Sequence, residues 1–381
     1  MRLAWPIVLA FAALLTSGAR AEAPSEEISD RRPVVDASRV VTEPQKAAVR
    51  RGLAYLAGTQ EKDGAWGSRH APIAVTALCT LAFLAGGNTE TRGLYSANVT
   101  AGVNYLLRHV DMDPNTKFQR GYIHGGDSDP TSRLHGHAYA VLALSEAYGG
   151  ARRGLDKTGQ DRRFREKLVA AVRLIERSQE RRSGGWYYLP EAKSDQHEGS
   201  VTVCQIQALR AARGVGIRVD GDVIARALKY VKQSQNKEGG FVYSLRDRSV
   251  HSYELTAAAV STLNGVGDYG STAYRRGLDY LMRRLDQNLI RPRYFFYGNF
   301  YAAQAMWQTE KRSGYWGRYW PKVRERLLDA EARDLETDRP LGKWVPSEVQ
   351  PATTLLGPDY GTAMACLILQ IPYGYLPLFQ R

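Results

Sequence analysis

Two kinds of hydrophobic pattern alternate along the chain. The first is amphipathic: "AVRRGLAYLAGTQ" at 48–60, "VTAGVNYLLRHV" at 99–110, "LVAAVRLIERSQ" at 168–179, "VIARALKYVKQSQ" at 223–235 and "AYRRGLDYLMRRL" at 273–285. Apolar residues return every three or four positions, and Arg and Lys fill the opposite face. That spacing predicts helices with one buried stripe, suited to an outer layer. The second pattern is apolar nearly all round and rich in alanine: "TALCTLAFLAG" at 76–86, "AYAVLALSEAYG" at 138–149, "TVCQIQALRAARG" at 202–214 and "TAAAVSTLNGVG" at 256–267, with weaker copies "YAAQAMWQ" at 301–308 and "TAMACLILQ" at 362–370. These predict inner helices, packed on every side, several of them ending at Gly as helix C-termini prefer.

The sixth amphipathic partner is "PKVRERLLDAEA" at 321–332. Six helix pairs result, at a period of roughly 50 residues, and one pair cannot bury its faces without its neighbours. Six pairs can close on themselves. The predicted fold is therefore all-α, an (α/α)6 toroid forming a single domain over 45–381. A basic stretch, "GGARRGLDKTGQDRRFREK" at 149–167, interrupts the period and reads as a surface loop.

A phrase recurs where an outer segment hands over to an inner one: "QEKDGAW" at 60–66, "QERRSGGW" at 179–186 and "QNKEGGF" at 235–241. Its glycines permit left-handed backbone and a tight reversal. The ring covers a helix end, and the Gln amide can bond loose backbone groups there. The phrase reads as a structural clamp.

The first residues change the picture of where the chain works. Arg2, an apolar run from Leu3 to Leu15 and Ala19-Arg20-Ala21 form a secretory signal peptide over 1–21, followed by a flexible lead-in over 22–44. The run is too short to span a bilayer, so no transmembrane span is expected after cleavage. The protein is expected to be exported, periplasmic or secreted. Cleavage removes two arginines from a net charge of +13. A basic exported protein can meet anionic ligands or a cell-envelope partner; no nucleic-acid motif is present. Cys79, Cys204 and Cys366 are odd in number and sit in apolar segments, as buried free thiols do.

The Gln60/Trp66, Gln179/Trp186 and Gln235/Phe241 phrases resemble the QW motif of the prenyltransferase/squalene-cyclase repeat family, and the ending "LQIPYGYLPLFQR" is similar to exported bacterial members. The resemblance covers most of the mature chain and implies the toroid. It also implies places for chemistry, judged from the threonines that open inner helices, Thr76, Thr202, Thr256 and Thr362. The cyclase acid motif, Asp-x-Asp-Asp, is replaced by Glu198-Gly-Ser-Val before Thr202 and by Ser252-Tyr-Glu-Leu before Thr256, with Glu254 at the middle position. "DSDP" at 127–130 does not stand in register. The prenyltransferase zinc set is absent, with Glu198, Ser200 and Leu255 in its places, and so is the Gly-Cys-Gly-Glu-Gln thioester motif.

Parallel inner helices would gather their N-termini at one mouth and favour anions there. Six of the seven histidines fall in the loops feeding that mouth. His135, His197 and His251 each stand five residues before the inner-helix mark. They are structural caps, a proton-handling group, or a metal triad; no HExxH or CxxC motif supports the last. Glu254, with His251 and His197, is the candidate acid–base set. Tyr139, Glu198, Tyr253, Asn299, Tyr301, Asp359 and Tyr360 are the candidate ligand-contacting residues. The aromatic stretches "YFFYGNFY" at 294–301 and "YWGRYW" at 315–320 line a cavity or pack between repeats. No cofactor is indicated. Two functions follow: a cyclase-repeat protein that binds an apolar, isoprenoid or anionic ligand, or a partner, at its mouth; or a cyclase-like or lyase-like enzyme using Glu254 and the mouth histidines.

Overall fold

The computed structural model describes residues 41–380 except 68–69, 116–119, 127–132, 154–159, 310–313 and 351–353. The expected signal peptide, nearly all of the lead-in and the "DSDP" stretch lie outside the described residues. Among the described residues, six outer helices alternate with six inner ones. The outer set is α1 (Glu43–Thr59), α3 (Ser96–Arg108), α5 (Gln160–Ser178), α7 (Gly221–Gln233), α9 (Thr272–Ile290) and α11 (Tyr315–Asp329). The inner set is α2 (Pro72–Ala85), α4 (Arg133–Arg153), α6 (Gly199–Gly214), α8 (Tyr253–Gly265), α10 (Phe295–Trp307) and α13 (Gly357–Gln370), with the one-turn α12 (Pro346–Val349) before the last.

Burial follows the two sequence patterns. In α7 the buried residues are Val223, Ala227, Tyr230 and Val231, one stripe of a helix started by the Asp220 carboxylate. In α2 every residue but Ala74 is buried. Each inner helix packs on the two beside it, and α13 closes on α2. Each outer helix packs on the inner helix of the preceding pair, α1 on α13 included, so every pair overlaps the next. The chain is thus an (α/α)6 toroid. Among the described residues no helix is long and apolar enough to cross a membrane, and all three cysteines are free and buried.

The recurring phrase closes each junction with the same bonds. The amide of Gln60 donates to Gly64 O and Asn98 O, that of Gln179 to Gly184 O and Val223 O, and that of Gln235 to Gly239 O and Ala273 O. The second acceptor always lies in the first turn of the next outer helix. Gly64, Gly184, Gly239 and Gly342 have φ between +69° and +97°. A Cβ there would stand 2.3–2.5 Å from a carbonyl oxygen of the next outer helix. The indole N–H groups of Trp66, Trp186 and Trp344 donate to Leu56 O, Ile175 O and Leu327 O. The marking threonines accept the N–H of the aromatic residue in all four phrases. In the sixth copy Glu331 takes the Gln position: it accepts Gly342 N–H and pairs with Arg51 of α1, so the ring closes on an ion pair.

Two expectations shift. The basic stretch 149–167 is largely helical where described, since α4 runs to Arg153 and α5 begins at Gln160. The sixth outer helix begins at Tyr315 rather than Pro321, which lies inside it. Trp316 and Trp320 stack at 4.7 Å and are buried; burying them outweighs the helix bond lost at proline. The "YWGRYW" stretch therefore packs between repeats, as do the buried rings of Phe295, Phe296 and Phe300.

Candidate active site at the mouth of the barrel

Side chains bridge the barrel interior. Helices α6 and α10 are not neighbours in the ring, yet Gln207 Nε2 donates to Gln304 Oε1 across it at 2.8 Å. Cys204 Sγ lies 3.3 Å from the Tyr301 hydroxyl, and Tyr139 bonds to both. The polar end is the one where inner-helix N-termini meet, with Ser200 of α6 against His135 of α4.

Glu198 is the residue before α6 and caps it. Its carboxylate accepts the N–H groups of Ser200 and Val201. The Ser200 hydroxyl donates to the same carboxylate at 2.8 Å and 2.9 Å. His135 Nε2 lies 3.0 Å from Ser200 Oγ. With Ser200 donating to the carboxylate, the imidazole N–H donates to Ser200. A chain of three groups results, with Glu198 fully buried and Ser200 and His135 half-buried. Burial pushes Glu198 up to about 7 against the lowering effect of its three donors. Burial pushes His135 down to about 4, which keeps its imidazole neutral. Beside them the hydroxyls of Tyr188 and Tyr243 meet at 2.7 Å, and the His135 ring lies 5.7 Å from Tyr188. Burial raises both phenols, with Glu198 adding to the effect.

The remaining candidates are placed differently. His197 and His251 are repeat-related: Nδ1 of each faces a tyrosine hydroxyl, Tyr230 at 3.3 Å and Tyr280 at 3.0 Å, with the rings edge to face. They stitch loops to the next outer helix. Glu254 accepts the backbone N–H of Tyr294 at 3.1 Å and sits where Gly298 leaves room for it, so its carboxylate ties α10 to α8. His135, His197 and His251 do not converge. Among the described residues no three His, Cys, Asp or Glu side chains gather to hold a metal, so these three histidines form no triad. Asn299 bonds Phe295 O and receives the Tyr319 hydroxyl. Tyr253 is buried beside Tyr319. Asp359 accepts the Thr59 hydroxyl at the seam of repeats six and one, and burial raises its carboxyl. Tyr360 packs edge-on against Phe296.

The structure thus joins Glu198 with His135, and Tyr139 with Tyr301. Sequence reasoning missed Ser200, Tyr188 and Tyr243 as site residues. The Glu198-x-Ser200 spacing was the available signal: it is a cap with its own donor two residues on.

No family model matches the chain, and no curated protein matches it by sequence. Solved structures share its fold. The cellobiose 2-epimerase of Bacillus thermoamylovorans B4167 is 12% identical with a TM-score of 0.59, covering 85% of this chain and 98% of that one. A D-mannose isomerase is 15% identical with a TM-score of 0.55, covering 85% and 96%. The GH76A α-1,6-mannanase of Salegentibacter sp. HEL1_6 is 10% identical with a TM-score of 0.54, covering 86% and 99%; an inactive variant of it has alanine at two consecutive aspartates. These neighbours correct the lineage drawn from the QW-like phrase, and the cyclase-repeat binding function falls with it. The phrase acts through Gly backbone and Gln and Trp bonds to carbonyls, which a junction of helix pairs calls for whatever the barrel does. The chain carries the (α/α)6 toroid found in sugar epimerases, isomerases and mannanases.

Proposed function

We propose that the protein is a sugar-processing enzyme that moves a proton on an aldose held at the barrel mouth, as an isomerase or epimerase does. The observation that carries this reading is the Glu198–Ser200–His135 chain. His135 takes a proton from the carbon beside the sugar carbonyl on Nδ1. Its Nε2 proton passes to Ser200, and the Ser200 proton passes to Glu198. The substrate becomes an enediolate and Glu198 a neutral acid; the reverse path returns the proton from His135 to the neighbouring carbon on the same face. A carboxyl held at about 7 suits both directions near neutral pH. The positive ends of the inner helices favour the enediolate. The fold's occurrence in a cellobiose 2-epimerase and a mannose isomerase supports an aldose substrate. Hydrolysis of the mannanase kind is less favoured, because this sequence has no two consecutive aspartates.

The test is proton exchange. Incubation with mannose or cellobiose in D2O should place deuterium at C2, read by NMR, and Glu198→Gln should slow it by about 10²- to 10⁴-fold. Sugar released from α-1,6-mannan without C2 exchange would sink the isomerase reading.

A further inference from the structure

Two mouth loops are pinned by their backbones to the two ends of the Ser200–His135 bond. Leu134 N–H, beside His135, donates to Tyr188 O at 3.1 Å, and Gly199 N–H, beside Ser200, donates to Tyr243 O at 2.7 Å. Ser200 Oγ and His135 Nε2 are 3.0 Å apart. The side chains of the same two tyrosines then meet, hydroxyl to hydroxyl, at 2.7 Å. Each stands two residues after the ring of its junction, Trp186 or Phe241. The Tyr188 ring lies 5.7 Å from the His135 ring, so the phenol pair is held beside the group assigned as base. Two hydroxyls that share one hydrogen bond hold two protons. One phenol donates to the other, and among the described residues neither hydroxyl has a further hydrogen-bond partner. One O–H of the pair is therefore without an acceptor in the protein, on residues that both keep part of their surface exposed. Burial raises both phenols, with Glu198 adding to the effect, so the pair stays protonated at neutral pH.

We propose that the Tyr188–Tyr243 hydroxyl pair is the donor that binds the sugar's carbonyl oxygen and the negative charge that grows there when His135 takes the carbon proton. The inference rests on the sugar reading above. Proton abstraction beside a carbonyl leaves charge on the oxygen, and a donor already aimed at that oxygen lowers the barrier without moving. The remaining phenol proton is such a donor; it stays on the phenol throughout, and no bond other than the hydrogen bond forms. The second phenol holds the first in place. A pair that only clasped the two loops would have no need of the second proton.

The experiment compares wild type with the double variant Tyr188→Phe/Tyr243→Phe and the two single variants. Deuterium exchange at C2 of mannose or cellobiose gives kcat and KM. Calorimetry gives the affinity for mannonohydroxamate, which resembles the planar enediolate, and for mannitol, which has no carbonyl. Replacing both partners of a hydrogen bond by apolar groups of the same shape is nearly neutral, so the double variant should melt within a few degrees of wild type. Its kcat should fall about 10²- to 10³-fold with KM little changed. It should bind the hydroxamate about tenfold more weakly and mannitol as before. One single variant should match the double and the other should lose less, because only one phenol faces the ligand. Unchanged kcat and hydroxamate affinity in all three variants would overturn the inference. So would equal weakening of both ligands with a lower melting temperature, which marks a loop clasp. Wild type that prefers the hydroxamate but exchanges no proton, with the preference lost in the double variant, would keep the phenol pair and remove the isomerase reading. Wild type that binds neither ligand would overturn the assignment of the pair.

Discussion

Repeats three and four are built on one plan and part at the cap of the inner helix. In both, a histidine meets the tyrosine of the next outer helix, His197 with Tyr230 and His251 with Tyr280. In both, a glutamine, a left-handed glycine and an aromatic ring lock the junction. The next residue caps the inner helix. In repeat four it is Ser252, which bonds the Leu255 N–H with no charge involved. In repeat three it is Glu198, a buried carboxyl raised to about 7 and linked through Ser200 to His135. Serine would cap α6 adequately. What the repeats share is scaffold; the carboxyl that only one of them places at the helix cap is the candidate chemistry.

The strongest way to break the shared part is at the glycines. Gly184→Ala would set a Cβ 2.3 Å from Arg226 O, and Gly239→Ala one 2.5 Å from Arg276 O, both at positive φ. Each should cost about 3–5 kcal/mol, measured by urea unfolding. A large cost in one repeat and none in the other would deny that the junctions are equivalent.

The differing part is tested by giving repeat three the cap of repeat four. Glu198→Ser should abolish deuterium exchange and change the pH dependence of stability. The sign is set by the raised carboxyl. Between its ordinary value of 4.5 and about 7 the folded state holds a proton that the unfolded state has lost, so this group weakens the fold as pH rises, by up to roughly 3 kcal/mol. Burial acts oppositely on His135 and His137, pushed down to about 4 and about 3. Those two stabilise the fold above 6.5 and lose that contribution as pH falls below it. Wild type should therefore gain stability up to about pH 6.5 and lose some just above it. In Glu198→Ser the decline above 6.5 should vanish and the acid side remain, read from melting temperature against pH.

The smallest effect belongs to repeat four. Ser252→Ala removes a neutral cap and should cost about 1 kcal/mol with no change in exchange rate. A fall in activity there would mean that the Glu254 side of the mouth also takes part.

The sequence by itself determined the architecture. Outer stripes, inner alanine-rich runs and a repeated Gln–Gly–aromatic junction are local signals, each set by the backbone needs of one helix pair, and six of them fix a toroid. It named Glu198 and His135 separately, but in different repeats and in different roles. The histidines five residues before the marking positions of repeats two, three and four looked alike because register is all that a sequence displays. In the structure His135 stands inside α4 and reaches Ser200, whereas His197, in a loop, and His251, in a two-residue strand paired with Phe241–Val242, each face a tyrosine. Only tertiary structure decided that difference, since hydrogen-bond partners 65 residues apart meet through the packing of adjacent inner helices rather than through local pattern. It also decided the raised pKa of Glu198, because that depends on how much water the surrounding helices leave.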